Sequence, residues 1–216
     1  MIYALSEIKK VYGGGTVKKI KSAVLEMIVS ESCDLFLDRS VESVTVNDVA
    51  EKSGVGVATI YRYFSTKQNL LEKCAVKLQK EVYENYFRLT GRTGAEKLSG
   101  FYSGYIKVFD EHREFYKFIS EFDAFVIAEG GVLEEYSAGA DLFKREYLSA
   151  YEEGLRDKSV RKNEDIETFY YATTHALLEL CKKLAVNGKV VKQDDIIEKE
   201  KEIRTIVNAV IRSLID

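Results

Sequence analysis

Apolar residues recur every three or four positions over most of the chain, and the two-residue alternation typical of strands is short and rare. The chain also contains no proline, the residue that most strongly interrupts a helix. This pattern predicts an all-α protein of about nine helices. We place them at residues 16–37, 46–54, 55–61, 66–90, 95–111, 113–127, 133–157, 164–187 and 194–215.

Polar and glycine residues mark where these helices begin and end. Thr45 followed by Asp48, and Ser65 followed by Gln68, have the spacing of capping boxes. The Gly13-Gly14-Gly15 run predicts that residues 1–15 form a flexible arm. Later breaks are expected at Gly130-Gly131, at 158–163 and at Gly188. We therefore predict an arm at 1–15, an N-terminal domain at 16–65 and a second domain at 66–216.

Composition narrows the class of protein. The 216 residues are 46% hydrophobic and 31% charged, which is typical of a globular chain. No apolar run approaches the 18 or so residues of a membrane span, and the N-terminus lacks the basic-then-apolar pattern of a signal peptide. We expect a cytoplasmic protein with no membrane partner. Three cysteines far apart indicate buried thiols rather than disulfides or a zinc site.

Charge is unevenly distributed along the chain. The segment 52–73 contains four basic residues and one acid, a formal charge of +3. The whole chain carries −3, so the remainder carries −6. A small basic element on a larger acidic body is typical of a modular nucleic-acid binder.

The basic segment also contains the spacing of a helix-turn-helix. Ala50 is small enough for a close helix approach, Gly54 can adopt the left-handed conformation that turns the chain, and Ile60 can pack the second helix back on the first. The second helix has the size that enters a DNA major groove. By itself this spacing also fits many helical hairpins that bind no DNA.

The flanking residues are more specific. The segment VTVNDVAEKSGVGVATIYRYFSTKQNLL, residues 44–71, strongly resembles the DNA-binding domain of TetR-family transcriptional regulators. The resemblance covers about residues 18–75 by motif and the rest by length and helix count. It implies a three-helix helix-turn-helix domain and a C-terminal helical domain for ligand binding and dimerisation. It further implies a homodimer that binds double-stranded operator DNA.

The resemblance also assigns DNA-contact positions. Hydroxyls, helix N-termini and lysines suit phosphate oxygens, whereas side chains at the start of the second helix face base edges. The matching positions are Thr45, Asn47, Val57, Ala58, Thr59, Tyr61, Arg62, Tyr63 and Lys67.

Two features depart from the family pattern. Gly56 and Ala58 stand where the family often has Ser and Gly, and Val57 stands where polar residues often contact bases. Valine can only touch a thymine methyl, so direct base recognition is expected to be modest. Lysines near the arm provide further phosphate contacts or, alternatively, a solvated face; these are Lys9, Lys10, Lys18, Lys19 and Lys21.

The second domain is dense in aromatic residues, which at helical spacing are either core or the wall of a cavity. Buried tyrosines need polar partners, and a half-apolar cavity between helices would supply them. With the family resemblance, this predicts a small apolar or aromatic effector. The candidate ligand residues are Tyr102, Tyr105, Phe109, Phe118, Glu121, Phe122, Phe125, Tyr147, Tyr171 and His175.

No catalytic or metal-binding arrangement is evident. The two histidines are far apart, and the sequence offers no nucleophile with a base, no phosphate loop and no cofactor motif. Apolar stripes on the last two helices, such as Ile203, Val207 and Leu214, fit ordinary core packing, whereas the family resemblance implies that these two helices form the homodimer interface. We expect a repressor released from a palindromic operator by an effector. The alternative is a DNA-binding protein whose second domain holds a protein partner.

Overall fold

The computed structural model describes residues 2–130, 133–186, 194 and 196–215, with side chains from residue 19 onward. Over these ranges the chain forms helices and no β-strand; Val160 and Ile215 make an isolated antiparallel bridge. The predicted all-α fold class is confirmed. The chain divides into two compact units, one ending at Cys74 and the other beginning at Ala75.

The helices follow one another with short connections. The first four are α1 (Ile2–Asp38), α2 (Val46–Ser53), α3 (Val57–Phe64) and α4 (Lys67–Val82), and α4 continues into a π-helical turn at Tyr83–Phe87. The other five are α5 (Gly94–Glu111), α6 (Arg113–Glu129), α7 (Glu134–Asp157), α8 (Ile166–Ala185) and α9 (Lys199–Leu214). None of these described helices combines the length and apolarity needed to cross a membrane.

Each helix of the first unit contributes at least one apolar side chain to its core. Ile28 of α1, Val49 of α2, Ile60 of α3 and Leu71 of α4 are each at most 2% exposed. Burying a side chain of this size stabilises the fold by about 1.5–3 kcal/mol. The predicted burial of the three free cysteines is confirmed, and the Cys74 thiol lies 3.6 Å from the Val29 carbonyl oxygen.

The second unit is built around α5. Leu98, Phe101, Tyr102, Tyr105 and Phe109 are all buried, and their spacing of three and four residues places them along the core side of this helix. The helix packs against α6, α7, α8 and α9. α5 is thus the central element around which the other helices of this unit are arranged.

Several predicted boundaries are wrong. Residues 2–15, predicted as a flexible arm, belong to α1. Each glycine of the run costs a helix about 1 kcal/mol relative to alanine, but no proline is present to end it. Residues Gly131 and Gly188, predicted as breaks, lie outside the described residues.

The α3 and α4 boundaries also differ from prediction. α3 runs from Val57 to Phe64, instead of 55–61, because Ser65 adopts a left-handed φ of 61° and ends it. α4 is capped by Thr66, whose Oγ1 accepts a hydrogen bond from the Asn69 amide at 3.1 Å. The predicted capping pair of Ser65 and Gln68 therefore does not form.

Candidate nucleic-acid interface and ligand cavity

The start of α2 is fixed by a reciprocal capping box. The Asp48 amide donates to Thr45 Oγ1 at 3.2 Å, and the Thr45 amide donates to Asp48 Oδ2 at 2.7 Å. This confirms the predicted cap. Hydrogen bonds from Thr45, and then from Arg39, lower the pKa of Asp48 from 3.8 to about 2. The half-buried carboxylate is consequently charged at neutral pH, and it stabilises the positive end of the helix.

Glycine makes the turn between α2 and α3. Gly54 has φ 66° and ψ 21°, a left-handed conformation that favours a residue without Cβ, and its amide bonds back to the Ala50 and Glu51 carbonyls. Gly56 then occupies the N-cap of α3 without a side-chain hydrogen bond. The first amides of α3 therefore have no capping side chain in front of them.

α3 has one buried and one exposed face. Ile60 and Phe64 are 2% and 4% exposed, whereas Tyr61 is 48% exposed and Ala58 is exposed beside it. Val57 is half-buried. Thr59, predicted at the exposed start of this helix, is only 5% exposed. It lies next to Ile60 on the core side, so the prediction that it is exposed is wrong.

Basic and aromatic side chains flank this exposed face. Arg62 is exposed, and its guanidinium lies 5.5 Å from the centroid of the Tyr63 ring. Asn47 is exposed on α2. Lys67 is not a fully solvated surface lysine, because its Nζ donates a hydrogen bond to the Val41 carbonyl oxygen at 2.5 Å. Partial burial lowers the pKa of Lys67. This lysine thus holds the segment between α1 and α2.

Comparison with known proteins agrees with this geometry. Residues 28–74 match the family model for bacterial regulatory proteins of the tetR family. The chain is 22% identical over 138 residues to the HTH-type transcriptional repressor KstR2 of Mycolicibacterium smegmatis, covering 63% of this chain and 67% of that protein. Residues 28–74 thus form a TetR-family DNA-binding domain.

Solved structures share the fold of this chain. A putative TetR-family regulator from Rhodococcus sp. superposes with a TM-score of 0.67 at 17% identity, covering 88% of this chain and 99% of that one. The ketosteroid transcriptional regulator KstR2 of Mycobacterium tuberculosis gives 0.54 at 12% identity, covering 89% and 95%. The matched domain and the named repressor relative support a DNA-binding regulator.

The second unit of the regulator contains a cavity of about 260 Å³. Its walls come from the end of α4, the π-helical turn, and α5 to α8. Most lining side chains are aromatic or aliphatic, which is typical of small-molecule sites. The polar and charged residues of the lining are Gln79, Tyr105, Tyr116, Asp123, Tyr136, Asp141, Lys144, Tyr170, Tyr171, Thr174 and His175.

Three of the ten predicted ligand residues line this cavity: Tyr105, Tyr171 and His175. The other seven lie elsewhere. Tyr102 and Tyr147 are completely buried and hydrogen-bonded to each other at 3.1 Å, and Phe109, Phe118 and Phe122 are core residues. Glu121 and Phe125 are half-buried outside the cavity wall. Gln79 was not among the predicted ligand residues, because it lies before the aromatic-rich segment.

The charged residues of the cavity are mostly paired. Lys182 Nζ lies 2.7 Å from Asp123 Oδ2, and it also pairs with Glu179. Lys144 Nζ lies 2.7 Å from Glu167 Oε2 and 4.8 Å from the centroid of the Tyr171 ring. An unpaired Asp123 carboxylate in the cavity wall would favour a cationic ligand. Its pairing with Lys182 removes most of that preference.

The apolar stripe of α9 packs inside its own chain. Ile203, Val207 and Leu214 are each at most 1% exposed, so the alternative of ordinary core packing is correct for them. Other apolar side chains of the last two helices remain accessible. Tyr171 of α8 is 42% exposed and Ile206 of α9 is 41% exposed.

Proposed function

We propose that this regulator is a homodimeric repressor that binds a two-fold symmetric operator through α3 and is released by a small-molecule effector. The proposed DNA-contact surface is supported by the two faces of α3, one buried and one exposed. Its buried residues anchor it to the unit, while Ala58, Tyr61 and Arg62 face outward. A helix held in this way can enter the major groove without losing its core contacts.

Most DNA contacts in this proposal are to phosphate. Tyr61, Tyr63 and Lys67 carry hydroxyl or ammonium donors, and Thr45 lies at the exposed N-terminus of α2. Such groups position a protein on the duplex without distinguishing bases. Base recognition then falls to Asn47, Arg62 and the methyl-contacting pair Val57 and Ala58. We therefore expect limited direct recognition, with a preference for thymine methyl groups near the start of α3.

Dimerisation would use the exposed faces of α8 and α9. The buried stripe is excluded from this role, but Tyr171, Ala172, Ile206 and Ala209 remain exposed on these helices. Exposed apolar side chains on two adjacent helices fit a self-complementary interface between copies. Two-fold symmetry would place the two α3 helices about one DNA turn apart.

The cavity supports the effector part of the proposal. Gln79 and Val82 of its wall belong to α4, and the first half of the same helix includes Leu71 and Cys74 of the first unit. An effector that shifts the end of α4 can therefore change the DNA-binding unit through one continuous helix. KstR2 of Mycobacterium tuberculosis, which shares the fold, is described as a ketosteroid transcriptional regulator, and this is consistent with a largely apolar ligand.

The alternative function is binding of a protein partner by the second unit. A tightly filled core would favour that alternative, whereas a cavity of about 260 Å³ favours a small molecule. The two differ in what controls DNA affinity. Only the effector proposal predicts a change in operator affinity on adding a small molecule to the purified protein.

The experiment is a calorimetric titration of a cavity ligand into the protein with and without operator DNA. Binding free energies are reciprocal: a ligand that weakens operator binding by some factor must itself bind more weakly to the DNA complex by the same factor. We expect weaker ligand binding in the presence of operator. Equal affinity in the two titrations would contradict effector control by that ligand.

A further inference from the structure

Among the described residues, three tyrosines of the cavity wall have hydroxyls without a hydrogen-bond partner: the deeply buried Tyr105 and Tyr170, and the half-buried Tyr136. Tyr105 and Tyr170 are 8% and 7% exposed, and both line the cavity. Both rings pack near Phe101, at centroid distances of 6.2 Å for Tyr105 and 6.1 Å for Tyr170. No described residue donates to or accepts from either hydroxyl.

These hydroxyls face the cavity rather than sealed protein. In the described part of the chain, every side-chain nitrogen or oxygen that is completely shut off from solvent has a partner. An unpartnered hydroxyl on a residue this deeply buried must therefore open onto the space beside it. The contrast is Tyr102, whose hydroxyl lies 2.8 Å from Thr173 Oγ1 and 3.1 Å from the Tyr147 hydroxyl.

An amide at the same wall is also unpartnered. Gln79 is 8% exposed and lines the cavity, and no described residue hydrogen-bonds to its amide. It packs directly against Gly139, where an added Cβ would lie 1.9 Å from Gln79 Oε1. The amide therefore occupies a place that any larger residue at 139 would block.

Each of these groups can donate a hydrogen bond into the cavity. Each tyrosine contributes an O–H, and the amide contributes two N–H groups beside one carbonyl oxygen. Burial raises the pKa of both Tyr105 and Tyr170, so both remain protonated donors at neutral pH. A ligand oxygen that accepts hydrogen bonds would satisfy these donors.

A charged ligand fits less well. A cation would need a free buried carboxylate, but Asp123 is paired with Lys182 and Asp141 is exposed at the rim. A carboxylate ligand would meet these same two acids, while the cavity lysine, Lys144, is already paired with Glu167. Removing a charge from water without a free partner is costly.

We propose that the effector is an uncharged apolar carbonyl compound, a ketone or ester, whose oxygen accepts hydrogen bonds from Tyr105 and Tyr170. This inference rests on the proposed effector function and specifies its ligand class. The aromatic walls bury the hydrocarbon part of the molecule, and the two hydroxyls fix the orientation of its oxygen. A carbonyl oxygen has two lone pairs and can therefore accept from both.

The test compares four probes of one diphenyl skeleton, titrated into the full-length protein without DNA. They are benzophenone, the hydrocarbon diphenylmethane, the anion diphenylacetate and the cation diphenylmethylammonium. A net hydrogen bond of ordinary strength corresponds to about tenfold in affinity. We expect benzophenone to bind about tenfold more tightly than diphenylmethane, and both ions to bind more weakly than benzophenone.

Single-hydroxyl variants then locate the contact. Tyr105→Phe and Tyr170→Phe should each reduce the preference for benzophenone over diphenylmethane severalfold, without weakening diphenylmethane. Because these hydroxyls have no partner in the fold, the thermal midpoint should not fall. The matched control is Tyr102→Phe, which removes a bonded core hydroxyl. It should lower the thermal midpoint and leave the preference unchanged.

Equal binding of the ketone and the hydrocarbon, tighter binding of either ion, or no binding by any probe would overturn the proposal. So would a preference that survives in both cavity variants. The operator titration is separate: a benzophenone site with no effect on DNA affinity would refute effector control while leaving the ligand class intact. Effector control by an ion would refute the ligand class alone.

Discussion

At the scale of single residues, the start of α2 depends on Thr45 and Asp48. The pKa of Asp48 is lowered from 3.8 to about 2 in the folded protein. A lowered carboxyl pKa contributes stability that is fully present above the ordinary value and is lost as the pH falls through the folded value. The capping box therefore stabilises the DNA-binding unit at neutral pH and weakens it in acid.

The first prediction is that Asp48→Asn lowers stability at neutral pH and flattens its fall between the ordinary and the lowered pKa of Asp48. Urea unfolding across that pH range measures both effects. The control is Asp38→Asn, which neutralises an exposed carboxylate of the same unit. An Asp48→Asn profile parallel to the wild type would mean that the capping box contributes nothing to the acid response.

The second prediction concerns Lys67, which has two roles in our proposal. Its ammonium has three N–H donors, of which the Val41 carbonyl takes one at 2.5 Å. Lys67→Met should cost about 1 kcal/mol of stability through this lost bond. It should also weaken specific and random DNA alike and reduce the slope of log affinity against log salt by about one.

The control for this prediction is Lys80→Met, which removes a 72% exposed lysine from the second half of α4. That variant should leave the salt slope unchanged. If Lys67→Met lost affinity only for specific DNA, the assignment of Lys67 to phosphate would be refuted. If only stability fell, its single role would be to hold the segment between α1 and α2.

At the scale of elements, two neighbouring residues of α3 have different roles in our proposal: Ile60 packs in the core, and Tyr61 contacts DNA. We predict that Ile60→Ala, at 2% exposure, destabilises the protein by about 2–5 kcal/mol. Tyr61→Ala, at 48% exposure, should change stability by less than about 0.5 kcal/mol and weaken DNA binding. Denaturant unfolding and DNA titration on both variants test this pair. Loss of stability without loss of DNA binding in Tyr61→Ala would contradict it.

The same elements show how far the sequence predicts structure. Thr45 and Asp48 predicted the start of α2 because both partners of its cap are local in sequence. The end of α3 was missed because Ser65 adopts a left-handed φ that glycine, not serine, normally signals. The helices of the second unit were placed within a few residues, since their apolar periodicity is strong.

The cavity could not be predicted in the same way. Tyr102 and Tyr105 lie nearly one turn apart on α5, yet one hydroxyl is bonded in the core and the other opens onto the cavity. Periodicity places both residues on the buried side of the helix. Which of them meets a partner depends on Thr173 and Tyr147, which are distant in sequence.

At the scale of the whole molecule, the proposal requires two copies of the chain. We predict that Ala209→Arg on the exposed side of α9 yields monomers in sedimentation, because a charged, bulky side chain would be buried at the interface. Operator affinity should fall with it. The control is Ala138→Arg, an equally exposed alanine of α7, which should remain dimeric. A dimeric Ala209→Arg would place the interface elsewhere.

The most direct measurement of the central claim is selection of bound DNA from fragments of the source genome by the purified protein, in parallel with Tyr61→Ala. We predict that the wild type enriches a two-fold symmetric site whose half-sites are centred about 10 base pairs, or a multiple of that, apart. Tyr61→Ala should show much weaker enrichment. Recovery of random fragments, or of an unsymmetric site bound equally by the variant, would contradict operator recognition through α3.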